Sequence, residues 1–100
     1  MNEQAANALY EAERRGVTQL KGAMFGNGGA MCAYGAIIAA QLGHTLSSEV
    51  SPCPLCGALT ANVGMGKDSK MNERTLMAHL NDDHGLTFGE IARKLGPDHA

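Results

Sequence analysis

The sequence predicts a mainly α fold with a small α+β element: a helical N-terminal part, then a zinc-finger-like cysteine turn and short hairpin stapled to a helix. Three observations carry this. Four stretches place apolar or small residues at helical spacing. A Cys53-Pro54-Leu55-Cys56 turn interrupts them. Two histidines, His79 and His84, sit on the stretch that follows, within reach of that turn.

Asn2 to Arg15 reads as the first helix, with Ala5, Ala8, Leu9 and Ala12 on one face and Gly16 ending it. Val17 to Phe25 reads as extended or irregular. Gly26-Asn27-Gly28-Gly29 is a loop; it lacks the glycine pattern of a phosphate cradle. Ala30 to Leu42 is the strongest helix by pattern. Met31, Tyr34, Ile38 and Leu42 form its apolar stripe, broadened by Ile37, with Gly43 as C-cap. Its other side is small (Ala33, Gly35, Ala36, Ala39, Ala40) and admits a second backbone. Cys32 falls inside this helix as a small buried side chain.

His44 to Pro52 is a polar connector. Ala58 to Val63 alternates weakly, as a short strand would, and Gly64 to Asp68 is a turn. Asn72 to about His84 is a helix with Leu76, Met77 and Leu80 inward, stopped by Gly85. Thr87-Phe88-Gly89-Glu90 fits a capping box. The last helix runs to about Leu95 with Phe88, Ile91, Ala92 and Leu95 inward. Residues 1–44 form the helical part and 45–100 the cysteine-turn part of one compact domain.

Composition says why a staple is needed. The chain has 100 residues, two Tyr, two Phe, no Trp and 13 glycines, so its core is thin and its backbone entropy high. Three cysteines do not suit a disulfide framework. No apolar run is long enough for a membrane span, and the N-terminal segment does not read as a signal peptide. The expected setting is cytoplasmic, where a CxxC is more often a metal or redox site.

Two thiolates and two imidazoles make the closed tetrahedral set of a structural zinc ion: Cys53, Cys56, His79 and His84, one ion per chain. The ligand types leave iron open. Five residues at about 100° each place His84 about 140° around an ideal helix from His79, so the last turn must tighten or unwind, and Gly85 stands where it can. Asp82 and Asp83 are poorly placed at a helix C-terminus; they are candidates to hydrogen-bond a ligating histidine, or else simply solvated. Two other readings of the CxxC are a buried pair without metal and a redox pair. A redox pair would open a long helix, but Gly57 and a turn-rich stretch follow.

With those residues in place, the chain resembles small phage and bacterial proteins that combine a CALGA segment, a CPxCG turn and an HLNDxH helix. The matching pieces are Cys32 to Ala36, Cys53 to Gly57 and His79 to His84. The tail also resembles the zinc finger of Ros/MucR-type bacterial transcriptional regulators, through CxxC and His79-Leu80-Asn81-Asp82-Asp83-His84-Gly85-Leu86-Thr87. The chain departs from that finger in the 22 residues between Cys56 and His79, and in lacking basic flanks. That resemblance therefore implies the metal ligands more strongly than the DNA-binding role.

Net charge is −2, without the basic excess typical of nucleic-acid binders. Lys67, Lys70 and Arg74 form a candidate basic contact edge near the cysteine turn, against the alternative of a solvated face. Leu86 to Leu95 is similar to the opening of a helix-turn-helix, with no recognition helix after it before Ala100. His44 and His99 read as surface residues. Met24, Met31, Met65, Met71 and Met77 read as gap fillers. No catalytic residues are indicated. The leading expectation is a zinc-stabilised, non-catalytic binding module of phage or mobile-element type that contacts a host or virion macromolecule, with a regulatory role as one option and a Ros/MucR-like nucleic-acid-binding regulator as the alternative. Its location is then the host cytoplasm or the virion. A protein partner is expected first and nucleic acid second, with no membrane contact. A virion building block that self-associates is a further class.

Overall fold

A computed structural model describes residues 1–63 and 66–97. The expectations for Met65 and His99 lie outside them. The architecture is mainly α with a two-stranded antiparallel ladder: α1 Glu3–Arg14, α2 Ala33–Ala39, β1 Thr60–Ala61, β2 Ser69–Lys70, α3 Glu73–Asp82 and α4 Phe88–Leu95. Thr60 pairs with Lys70 and Ala61 with Ser69. Helix α1 packs on α4 and α2, while α3 packs on α2, α4 and β1. The fully buried large side chains are Leu9, Ile37, Met71, Met77, Leu80, Phe88 and Ile91, alongside one polar residue, Asn81. Phe88 is the one aromatic among them, so the core is as thin as the composition implies. Of the other predicted gap-filling methionines, Met24 is exposed and Met31 half-buried.

Helix α1 begins and ends where its sequence says. Asn2 accepts the Ala5 N–H at 2.8 Å as N-cap. Gly16 takes the left-handed conformation after its C-terminus, with Gly16 N–H to the Glu13 carbonyl and Val17 N–H to the Ala12 carbonyl. This pair of bonds is a Schellman closure.

Helix α2 departs from expectation at both ends. It spans Ala33–Ala39, not Ala30 to Leu42. The amides of Gly26, Met31 and Cys32 are tied into extended pairing across 18–31: Met31 N–H to Thr18, Cys32 N–H to Met24, and Gly26 N–H to the Ala30 carbonyl. Cys32 is buried as predicted, but it is the N-cap rather than a mid-helix residue, and its sulfur accepts the Gly35 N–H at 3.3 Å. At the other end the helix closes two residues before Gly43. Gln41 takes the left-handed position at φ 61°, with Leu42 N–H bonded to Ile37 and Gln41 N–H to Ile38. Burial is split between the two sides: of the small side Ala33, Gly35 and Ala36 are buried while Ala39 and Ala40 are exposed, and of the apolar stripe Ile37 is buried while Met31, Tyr34, Ile38 and Leu42 are half-buried. Close packing decides the Gly35 side. A Cβ on Gly35 would stand 2.4 Å from the Met24 carbonyl oxygen.

Helix α4 has the predicted capping box. Thr87 Oγ1 accepts the Glu90 N–H at 3.2 Å and Glu90 Oε1 accepts the Thr87 N–H at 2.9 Å. The bond from Thr87 N–H holds the Glu90 carboxyl below its usual pKa. Glu13 adds a contact that crosses the fold, accepting the Gly89 N–H at 3.2 Å.

The halves are tied through Asn81 and Gln19. Asn81 Oδ1 accepts from Gln19 Nε2 at 2.7 Å and from Ala33 N–H at 3.0 Å. Its Nδ2 donates to the Leu20 carbonyl and to Asp82 Oδ1, both at 2.7 Å. Gln19 in turn donates to the Leu86 carbonyl at 2.7 Å and accepts the Phe88 N–H at 2.9 Å. Two side chains thus join the 17–25 segment, α2, α3 and α4.

Asn81→Ala should destabilise the fold by about 3 kcal/mol or more in urea unfolding, because it strands the Ala33 N–H and the Leu20 carbonyl in the interior. Gln41→Gly should stabilise it by about 0.5–1 kcal/mol, since glycine takes the left-handed C′ position without the Cβ penalty. A folded carboxyl pKa below the unfolded one makes the Glu90 contribution complete above the unfolded value and lost as pH falls through the folded value. Glu90→Gln should therefore flatten the acid limb of the stability–pH curve.

Candidate metal centre

The cysteine turn is shaped by its own backbone. Cys53 N–H bonds the Ala58 carbonyl at 2.9 Å and Gly57 N–H bonds the Cys53 carbonyl at 2.8 Å. Gly57 is left-handed at φ 75°, which lets the chain reverse directly after Cys56. Leu55 N–H points at Cys53 Sγ, 3.4 Å away. Cys53 is buried and Cys56 exposed.

The histidines come from the end of α3, and the helix solves their spacing as the sequence requires. Helix α3 stops at Asp82, short of His84. The His79 carbonyl then accepts two amides, Asp83 at 2.9 Å and His84 at 3.3 Å, and Leu86 N–H reaches back to Leu80 at 3.0 Å. These closures span five and six residues. A wider turn advances fewer degrees per residue, so five steps overshoot a full rotation by less than in a regular helix. His84 swings back towards His79, and Gly85, left-handed at φ 67°, reverses the chain.

Four donor atoms converge. Cys56 Sγ lies 3.4 Å from His79 Nε2, Cys53 Sγ lies 3.6 Å from His84 Nε2, and the two Nε2 atoms are 3.1 Å apart. A tetrahedral ion with bonds of about 2.3 Å to sulfur and 2.0–2.1 Å to nitrogen separates S from N by about 3.6 Å and N from N by about 3.3 Å. These three edges agree to about 0.3 Å. All four atoms lie within 4.8 Å of one another, against a longest edge of about 3.8 Å for that tetrahedron, so the widest pair need draw in by about 1 Å at most. Cys53, Cys56, His79 and His84 can therefore hold one metal ion.

The tautomer supports the same conclusion. His79 Nδ1 lies 2.8 Å from Asp83 Oδ2, so its proton belongs on Nδ1 and its Nε2 lone pair faces the cluster. A second imidazole nitrogen and two sulfurs face the same point, and a cation there relieves their mutual repulsion.

Of the two aspartates, only Asp83 supports a ligand. Asp82 turns to the other side of α3, where its Oδ1 accepts the Gly22 N–H at 3.1 Å and Asn81 Nδ2 at 2.7 Å. The distribution of hydrogen-bond donors decides this, since the 20–22 segment offers amides that the sequence could not place. Cys32 is no part of the cluster. The basic edge forms only in part. Lys70 and Arg74 line one cleft, with the Arg74 guanidinium over the Tyr34 ring at 4.9 Å, while Lys67 is not in its lining. His44 is exposed in a short turn. Sequence reasoning missed Gln19 and Asn81; an asparagine in place of an apolar residue on the inward face of a helix was the available signal.

No family model matches the chain, and no curated protein or solved structure does.

Asp83→Asn should weaken metal affinity by about 10–100-fold in a chelator competition, because the bond to His79 Nδ1 loses its charge. Asp82→Asn should leave that affinity within about twofold, since Asp82 lies away from the donors.

Proposed function

We propose that this chain is a zinc-stabilised, non-catalytic binding module of phage or mobile-element type that contacts a host or virion macromolecule in a regulatory role. The observation that carries the metal reading is the convergence of two sulfurs and two Nε2 atoms on one point. Zinc suits a mixed thiolate–imidazole tetrahedron. With four protein donors the coordination shell is full, which supports a structural ion rather than a catalytic one. Structural zinc contributes on the order of 10 kcal/mol of apparent folding free energy, enough to offset a core with one buried aromatic.

The surface around the metal turn supports a protein partner. Ser51 N–H bonds the Met71 carbonyl at 3.0 Å and Met71 N–H bonds the Leu59 carbonyl at 3.1 Å, so the connector and the hairpin lie side by side. They present Val50 and Leu59, 51% and 63% exposed, and Leu55 of the turn itself is 41% exposed. Apolar side chains on a metal-fixed scaffold are the composition of a protein-docking surface. No helix among the described residues is long and apolar enough to cross a membrane.

Nucleic-acid binding is the second reading, favoured by the Ros/MucR-like ligand segment and by the exposed Arg93 and Lys94 in the last turn of α4. Salt separates the two. Retention on random-sequence duplex DNA that falls steeply between 50 and 200 mM salt would favour that reading; the docking-module reading expects no such retention.

Elemental analysis of protein purified without added metal should find about one zinc per chain, lost in Cys56→Ser together with folding. Iron in place of zinc would redirect the site to another ion. A folded, metal-free chain would sink the reading. Lowering the pH should release the ion cooperatively as the thiolates and imidazoles take up protons.

A further inference from the structure

A cleft lined by none of the four donor residues lies on the far side of α3 from Asp83. It has a volume of about 260 Å³ and runs between the Gly22–Met24 segment, Tyr34 and one face of α3. Thr75, Ala78 and Asp82 line it from that face, and Ser69 and Lys70 close it from β2.

Its walls are fixed without a ligand. Gly22 N–H is bonded to Asp82 at 3.1 Å. The Met24 carbonyl accepts the Cys32 N–H at 3.0 Å and lies against Gly35 so closely that any Cβ there would collide with it. The Arg74 guanidinium is held over the Tyr34 ring. A preformed cleft loses little ordering entropy on binding.

Its charge is lopsided. Lys70 and Arg74 both face it, and neither takes part in an ion pair among the described residues. The one carboxylate in the lining, Asp82, turns its Oδ1 to the Gly22 N–H and the Asn81 amide, and against the two cations it leaves the lining a net single positive charge. Met24, Tyr34, Val63 and Ala78 supply the apolar part of the lining, and Ser69, Asn72 and Thr75 the neutral polar part.

We propose that this cleft binds a small organic oxyanion: a single flat ring carrying a carboxylate or phosphate. The oxyanion sits on Lys70 and Arg74, where a planar guanidinium can bond two oxygens at once. The ring lies against the apolar lining. The volume is below the roughly 300–1,000 Å³ typical of drug-sized sites, which limits the body to about one ring. Neither inorganic phosphate nor a neutral arene meets both requirements. The inference does not rest on the metal reading.

The test is a titration of the full chain as purified, followed by two-dimensional NMR. Benzoate and phenyl phosphate are the probes, with inorganic phosphate and benzyl alcohol as controls. Saturable shifts confined to Tyr34, Lys70, Thr75 and Ala78 are expected with at least one probe, and the preferred probe identifies the head group. Both controls should bind at least tenfold more weakly. Arg74→Gln and Lys70→Gln should each weaken binding by tenfold or more, with Lys67→Gln unchanged. The two side chains are exposed, so both variants should keep the parent amide spectrum. Scattered or non-saturating shifts with both probes, equal binding of benzyl alcohol, or affinity unchanged in both variants would overturn the proposal.

Discussion

Asn81 has no exposed surface, yet it carries an amide that must be fully paired if it is to be buried at all. It makes four hydrogen bonds, two given and two received, and each goes to a different residue. A buried amide left half-paired would cost more than an apolar residue of the same size. The arrangement of 17–25, the start of α2 and the last turn of α3 must therefore be satisfied together. This is a specification device more than a source of net stability: it selects one docking of the N-terminal part on the C-terminal part among the many that a core of alanines and few large side chains would permit. The amide that Asn81 takes at Ala33 also fixes where α2 begins.

The same helix end carries the metal donors. His79 and His84 bracket Asn81, and the widened turn that brings the two imidazoles together ends in the segment whose Leu86 carbonyl accepts from Gln19. The polar hub and the metal centre thus share one stretch of backbone. An ion held by these donors would brace an element on which both halves rest. Such coupling suits a small chain that cannot rely on a large core. It also places the apolar side chains of the cysteine turn on a base of defined shape.

The cleft beside α3 and the metal turn make different chemical offers. One shows two cations over a mixed apolar and polar lining; the other shows aliphatic side chains on extended segments. Asp82 belongs to the first although it stands next to Asp83, which serves the second. Adjacent residues at the end of a helix point about 100° apart, and the hydrogen-bond donors each then meets separate their roles.

Much was legible in the sequence because it is local or combinatorial. The capping box needs only Thr87 and Glu90 three residues apart; the end of α1 needs only a glycine for a left-handed residue; four soft-donor residues at these spacings have few other uses. The need for a distorted turn between His79 and His84 followed from helix geometry alone, and the structure supplies it. What the tertiary structure decided was long-range. The Ala30–Leu42 pattern is a good helix in isolation, but its first amides are taken by extended pairing and its close is made at Gln41 rather than Gly43. Its Gly35 side is inward because the Met24 backbone approaches there, a fact that periodicity cannot weigh. Asp82 could be told from Asp83 only when the donors opposite each were known, and Gln19 and Asn81 became a pair only across 62 positions of chain. The sequence by itself determined the candidate metal donors, the caps and the helical class, since each depends on residues close in the chain or on donor chemistry; the tertiary structure decided helix limits, facing and the polar hub, since each depends on which distant groups compete for the same hydrogen bonds.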